Sequence, residues 1–198
     1  MTSSYERELF AAGFSLIAGA DEAGRGACAG PLVAAAVIWP QLDLLGITDS
    51  KKLTPAARTA AFAEITSHAL AWASVAVPAP ECDRLGIQQA NLSALRRAVL
   101  RLSPSPEYVV IDGFGLDGLP CPSLGVWKGD QVAACVSAAS IVAKVTRDRM
   151  MEQLHLEYPG YGFDVHKGYC TKTHQQALDR LGPCPAHRFS FDNVPAAR

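Results

Sequence analysis

The sequence predicts an α/β fold in which a mixed five-stranded sheet is flanked by helices and followed by a C-terminal helical and loop extension. Three observations carry this. Apolar runs of strand length, bounded by glycine and proline, number three before the pattern turns to alternating helix and strand. A long run rich in small residues follows Asp130 and suits a helix packed closely on a sheet. Beyond Tyr158 the composition shifts to glycine, proline and aromatic residues, which reads as loop.

Taken in order, Glu6 to Ala12 reads as a helix end and Phe14 to Ala20 as a buried strand. The glycine-rich stretch Gly24 to Gly30 turns the chain into a second apolar run, Leu32 to Trp39, and so short a connection predicts an antiparallel pair. Pro55, after the polar Thr54, opens a helix through Ser67, and Ala69 to Val77 supplies a third strand. Asn91, Leu92, Leu95, Val99 and Leu102 mark one face of a helix, with Arg96, Arg97 and Arg101 largely elsewhere, before the break at Ser103 to Pro106. Tyr108 to Asp112 is a fourth strand and Leu124 to Trp127 a fifth, which leads into a helix from about Asp130 to Leu156. One more helix spans Thr173 to Leu181, and the tail from Pro183 is expected to pack irregularly over the rest.

At 198 residues the chain fits one domain, 1–198, with 158–198 as an extension packed on it. Hydrophobic residues at 49% and charged residues at 19% exclude a disordered chain or a coiled coil. A formal net charge of -1 offers no global attraction for nucleic acid, so any phosphate contact must come from local clusters of lysine and arginine. Six cysteines without a C-x-x-C pair argue against a zinc site or a disulfide framework and fit free thiols in a reducing cytoplasm. Leu9 to Ala20 loosely imitates a signal peptide, but Glu6 and Glu8 outweigh Arg7 ahead of it, and no run approaches the ~20 apolar residues of a membrane span. A cytoplasmic monomer is expected.

Chemistry concentrates where strands end. Asp21 and Glu22 follow an apolar strand and precede Gly24 and Gly26. Ionised carboxylates at such a place need a cation or water, and side chains of neighbouring strand residues point to opposite faces, so the pair can serve one site only if the strand ends or bends there. Gly24 and Gly26 permit that bend. A solvated strand-to-loop junction is the plainer alternative. A phosphate loop is a further one, since Gly19 to Gly24 has the right glycine spacing, but Arg25 and Gly26 stand where lysine and a hydroxyl residue are required. Asp112 ends a strand before Gly113, where a turn-forming aspartate is also common. Asp130, ahead of the long helix, reads by itself as an N-cap.

Six segments then appear in a telling order: Ala18-Gly19-Ala20-Asp21-Glu22-Ala23-Gly24-Arg25-Gly26, Asp49-Ser50-Lys51-Lys52-Leu53, Ile111-Asp112-Gly113, Lys128-Gly129-Asp130, Ala138-Ala139-Ser140-Ile141-Val142-Ala143-Lys144-Val145-Thr146-Arg147-Asp148 and His166-Lys167-Gly168-Tyr169. The set resembles ribonuclease HII across nearly the whole chain. The resemblance implies a ribonuclease H-like fold and an endonuclease that cuts the RNA strand of RNA·DNA hybrids and nicks DNA at embedded ribonucleotides. It implies Asp21, Glu22, Asp112 and Asp130 as ligands of two Mg²⁺ or Mn²⁺ ions, an oxygen donor set that suits hard divalent cations.

By the same resemblance, backbone groups of Gly24, Arg25 and Gly26 would read the ribose 2′-hydroxyl, with Tyr169 beside it. Ser50, Lys51, Ser140 and Lys144 would contact phosphates. Ser137, Ser140, Lys144 and Arg147 recur at roughly helical spacing, so one polar face of the long helix faces either substrate or solvent. The family pattern is broken at Cys170 and Phe189. Another ribonuclease H-like nuclease, such as a type 1 ribonuclease H, and a non-catalytic nucleic-acid-binding module of the same fold are the competing readings.

Overall fold

The computed structural model describes residues 4–39 and 53–195. Five strands, β1 (Ile17–Ala23), β2 (Leu32–Ile38), β3 (Ala71–Val77), β4 (Tyr108–Asp112) and β5 (Ser123–Val126), form one sheet in the order β3-β2-β1-β4-β5. β1 pairs antiparallel with β2, and β2 with β3, whereas β4 lies parallel to both β1 and β5. The mixed sheet is the expected one. β1 begins three residues later than Phe14 because the N–H groups of Ser15 and Leu16 are taken by the Glu107 carboxylate, at 2.6 and 3.0 Å, instead of by a strand partner.

The alternation of side chains sorts the strands between two apolar layers. Ile17, Ala35, Val37 and Val110 face α6 (Ala134–Glu157) and α2 (Pro55–His68), with α1 (Ser4–Ala11) against the same layer. Ala18, Ala20, Ala34, Ala36, Val109 and Ile111 face α4 (Ile87–Leu100). Gly19 lets α6 approach, since a Cβ there would lie 2.0 Å from the Cys135 carbonyl carbon. On the other side α4 buries Ala90, Asn91, Ala94, Leu95, Ala98 and Val99, so the apolar stripe read from the sequence is its inner face. Between β3 and α4 lies α3 (Ala79–Leu85), which is absent from the sequence expectation; Pro78 and Pro80 occupy its N-cap and first turn, where a missing N–H costs nothing.

The helix expected from Asp130 to Leu156 is two. α5 (Gly129–Val132) is a single turn, Ala133 adopts an extended conformation, and α6 starts at Ala134. The break leaves the first N–H groups of α6 without intrahelical partners, and Ala133 has no side chain to cap them. Glu6, buried at the start of the chain, does so from α1: its carboxylate accepts from the N–H groups of Ala134 at 3.2 Å and Cys135 at 2.7 Å. A negative group at a helix N-terminus is doubly favoured, by those bonds and by the helix dipole.

Past α6 come α7 (Phe163–His166) and α8 (Lys172–Leu181), with Tyr161, Phe163, Leu178, Cys184 and Ala186 packed on Ala29 and Met151. The segment Cys184–Arg188 returns to the glycine-rich turn: Arg188 is fully buried, donates to the Gly30 carbonyl at 3.0 and 3.2 Å, and donates to the Arg25 carbonyl at 3.0 Å. Among the described residues no helix is long and apolar enough to cross a membrane.

Candidate active site

Asp21 and Glu22 lie inside β1, paired with Ala35 and Ala34 of β2, so the strand does not end at Ala20 as expected. Alternation therefore separates the two side chains. Asp21 shares the α6 side of the sheet with Ser140, which is hydrogen-bonded to it, whereas Glu22 emerges on the α4 side, facing Asn91. The site forms because it sits at the carboxyl ends of two neighbouring parallel strands. Ala20 is registered with Ile111, which sets Asp21 next to Asp112 at the edge.

Gly24, just beyond, has φ +83°, and a Cβ on it would lie 1.8 Å from the Arg147 Nε; here glycine is obligatory. Gly26 is different. Its surroundings are open and its backbone needs no positive φ, so the bend belongs to Gly24. Gly19 is mid-strand, which removes the phosphate-loop alternative.

Two adjoining clefts meet at the acids. One, of about 350 Å³, is lined by Asp21, Glu22, the turn Gly24-Arg25-Gly26, Arg58, Asp112, Ser140, Lys144 and Tyr169. The other, of about 390 Å³, shares Glu22, Arg25 and Asp112 and adds Phe114, Trp127, Lys128 and Asp130. A third hollow of similar size, mostly apolar and framed by Pro31, Pro78, Leu154 and Tyr158, contains none of the acids. All four predicted carboxylates thus border one continuous depression. Ser50 and Lys51 lie outside the described residues.

Burial pushes the Asp21 carboxyl well above its usual range, and the negative charges of Glu22 and Asp112 push it further, against the Ser140 hydroxyl, which pulls it down. Burial also raises Glu22, with the Asn91 amide and Arg25 opposing. Asn91 is itself wholly buried, and neither its Nδ2 nor its Oδ1 reaches full hydrogen-bond geometry. Asp112 Oδ1 accepts from the Gly129 N–H at 2.7 Å, tying the end of β4 to α5. Asp130 is almost fully buried in the first turn of α5 and is not the N-cap of the long helix; the residue at the head of α5 is Lys128, held at φ 55°.

Mutually repelling carboxylates in partial burial fit a divalent cation, and an all-oxygen donor set fits Mg²⁺ or Mn²⁺. Among the described residues no three His, Cys, Asp or Glu side chains are grouped so as to hold a metal ion by themselves. An open set of this kind is compatible with Mg²⁺, which keeps several waters and is commonly held by one or two carboxylates together with substrate phosphate.

The remaining predicted residues divide. Lys144 lines the cleft and pairs with Asp148 at 2.6 Å. Arg147 faces neither solvent nor substrate: it is fully buried, donates to the carbonyls of Pro31 and Ala29, and lies 5.4 Å beneath the Tyr169 ring. Tyr169 stands 40% exposed at the cleft, apart from the stacked rings of Tyr161 and Phe163. Cys170 is exposed and its sulfur accepts from Asn193 at 3.0 Å, whereas the Phe189 N–H donates to Asp83. Sequence reasoning missed Arg58, a cleft cation on a helix that carried no motif, and the function of Asn91, whose only signal was an amide on an apolar helix face.

Comparison with known proteins agrees with this geometry. Residues 18–194 match the family model described as Ribonuclease HII. The chain is 59% identical over 192 residues to a ribonuclease HII of Salinispora tropica, covering 96% of this chain and 71% of that protein. It is 57% identical over 196 residues to one of Cutibacterium acnes, covering 98% and 96%. Among solved structures, the ribonuclease H2 of Pyrococcus horikoshii OT3 superposes with a TM-score of 0.78 at 27% identity, covering 90% of this chain and 94% of that one. With the fold, the acids at the strand ends and the full-length likeness in agreement, this chain belongs to the ribonuclease HII family and is an endoribonuclease of the ribonuclease H type.

Proposed function

We propose that the chain hydrolyses the RNA strand of RNA·DNA hybrids and nicks DNA duplexes on the 5′ side of embedded single ribonucleotides, leaving 3′-hydroxyl and 5′-phosphate ends. The observation that carries this is the placement of Asp21 beside Asp112 at the ends of parallel strands, in a cleft whose other wall is a glycine turn and an exposed tyrosine. Asp21, Glu22, Asp112 and Asp130 would hold Mg²⁺ or Mn²⁺. Two such ions would supply the positive charge that stabilises the attacking and leaving oxygens of an in-line displacement at phosphorus.

The protein's own groups do the rest. Ser140 orients Asp21, Arg25 counters the charge of Glu22, and the Gly129 N–H fixes Asp112, so the carboxylates are positioned before substrate arrives. Lys144 and Lys51 would neutralise backbone phosphates, and Ser50 and Ser140 would hydrogen-bond them, without reading sequence, which would let a chain of net charge -1 bind a polyanion. The backbone of Gly24, Arg25 and Gly26 would meet the 2′-hydroxyl, and the Tyr169 ring would pack on the sugar that follows. We also place residues 1–198 in one catalytic domain, with 158–198 as an extension packed on it, working as a monomer in the reducing cytoplasm where six free thiols persist.

The test is an end-labelled DNA duplex with one embedded ribonucleotide, incubated with Mg²⁺. Cleavage immediately 5′ of the ribonucleotide is expected. Asp112→Asn keeps an acceptor for Gly129 and removes the charge, so it should fold normally and lose most turnover, as should Asp130→Asn. Cleavage confined to runs of ribonucleotides would instead place the specificity with type 1 enzymes, and near-normal turnover by a folded Asp112→Asn would remove that residue from the metal site.

A further inference from the structure

Behind Tyr169 lies a buried histidine cluster that the catalytic reading does not use. His174 and His187 are both wholly buried, and their Nε2 atoms face each other at 3.1 Å. One must carry a proton and the other must not, and the Tyr169 end of the pair decides which. His174 Nδ1 lies 3.0 Å from the Tyr169 carbonyl, which can only accept, so Nδ1 carries the proton and Nε2 is bare. His187 Nε2 must then carry the proton that lies between the rings, which leaves its Nδ1 bare to receive the Cys184 backbone N–H at 3.0 Å; the Cys184 carbonyl and sulfur each lie 3.2 Å from the same nitrogen, so this end alone would accept either tautomer. The Tyr169 end therefore sets the polarity, the Cys184 end accommodates it, and each ring is engaged at both nitrogens.

A third ring joins them. His166 stacks on His174 with centroids 4.2 Å apart, accepts the Gly168 N–H at Nδ1, and donates from Nε2 to the Tyr161 carbonyl at 2.8 Å. Burial holds His174 neutral, pushing its pKa down to about 4, and lowers His187 in the same direction.

We propose that His174 and His187, as one polarised chain of hydrogen bonds from the Cys184 N–H to the Tyr169 carbonyl, are positioning residues that set where Tyr169 stands over the substrate sugar. The adjacent Arg188 holds the Arg25 carbonyl of the facing turn, so two consecutive tail residues place the two sides of the ribose-reading site. A ring that must detect one hydroxyl group needs placement within a fraction of an ångström, and a backbone carbonyl held by a ring with a single permitted tautomer supplies it. The inference rests on the proposed role of Tyr169 at the ribonucleotide.

Two measurements test it on the full-length protein. In the wild type labelled with ¹⁵N-histidine, nitrogen shifts at neutral pH should show His174 protonated at Nδ1 and His166 and His187 at Nε2, all neutral; assignments come from single histidine variants. A proton on His174 Nε2 or on His187 Nδ1 overturns the proposal. The second measurement compares His174→Asn, whose amide can reach from the Nδ1 position to the Tyr169 carbonyl, with His174→Gln, whose amide reaches only the Nε2 position. Single-turnover rates are read on a single-ribonucleotide duplex and on a continuous RNA·DNA hybrid.

Asparagine should keep the wild-type ratio of the two rates to about twofold, whereas glutamine should lower the single-ribonucleotide rate about five- to tenfold more than the hybrid rate, as one lost hydrogen bond allows. Equal ratios for the two variants, with folding confirmed, overturn the proposal even if the tautomers are as assigned. Tyr169→Ala run alongside separates the two ideas: if it depresses both substrates equally, the junction-reading role of Tyr169 fails, while the nitrogen shifts still report on the relay itself.

Discussion

Removing the Glu6 carboxylate should destabilise the protein by more than any surface glutamate would, although Glu6 belongs to the first helix and lies far in sequence from what it stabilises. It is 4% exposed and accepts two backbone N–H bonds, from Ala134 and Cys135 at the head of α6. Loss of a helix cap typically costs ~1–2 kcal/mol, and a hydrogen bond to a charged group ~1.5–3 kcal/mol; because one side chain makes both bonds, Glu6→Ala is expected to cost about 2–4 kcal/mol. In a protein of this size that is a fall in melting temperature of about 5–12 °C. Glu6→Gln retains one acceptor and turns an NH₂ towards the second donor, so about half the loss should remain. The assay is urea denaturation followed by far-UV circular dichroism, with Glu8→Ala, exposed on the same helix, as the control expected near zero. If Glu6→Ala and Glu8→Ala unfold at the same urea concentration, the cross-chain cap contributes nothing and the account of the break at Ala133 is wrong.

Three further outcomes are expected. His174 has a folded-state pKa of about 4 against 6.5 ordinarily, so the unfolded chain takes up its proton first as the pH falls, and the stability it contributes is present above 6.5 and lost between 6.5 and 4. The stability difference between wild type and His174→Asn should therefore shift by about 1.4 kcal/mol against the wild type from pH 7.5 to pH 5.5, and a constant difference would show that His174 titrates normally. Gly24→Ala should cost at least ~2 kcal/mol, because a Cβ 1.8 Å from Arg147 Nε at a positive φ must evict the arginine from the Pro31 and Ala29 carbonyls, whereas Gly26→Ala should unfold within ~0.5 kcal/mol of wild type; equal effects would refute the distinction. Lys144→Ala should flatten the salt dependence of duplex binding by about one phosphate contact, and an unchanged slope would return Lys144 to its pairing with Asp148.

The centre of the sheet was legible because β1, β2 and β4 are short apolar runs whose burial on both faces leaves little room for another reading, as Val109-Val110-Ile111 shows. What escaped was set by distant partners. Ala133 stands among Val132, Ala134 and Cys135, which nothing local would break, and the helix ends there where a glutamate more than a hundred residues away receives the freed N–H groups. Asp130 reads as a cap for a local reason: its place in a separate turn depends on Lys128 adopting a left-handed conformation that lysine seldom takes. The acids themselves were legible as a set only through resemblance, since each one separately also suits a turn, a cap or a solvated strand end. Arg147 was misread because a cation on a regular helical spacing implies a solvent face, yet carbonyls of the glycine-rich segment, brought over by the fold, give it a buried one.

The hold of Arg188 on the Arg25 carbonyl and of His187 on the path to Tyr169 also imposes an order in time. A ribosome delivers the four carboxylates by residue 130, well before His187 and Arg188. A nascent chain thus contains the four acids first, and the bonds to His174 and to the Arg25 carbonyl form only once residues 187 and 188 have left the ribosome. Under the proposed roles, a chain ended upstream of them would hold the four acids with neither the Arg188 bond to the Arg25 carbonyl nor the His187 bond to His174.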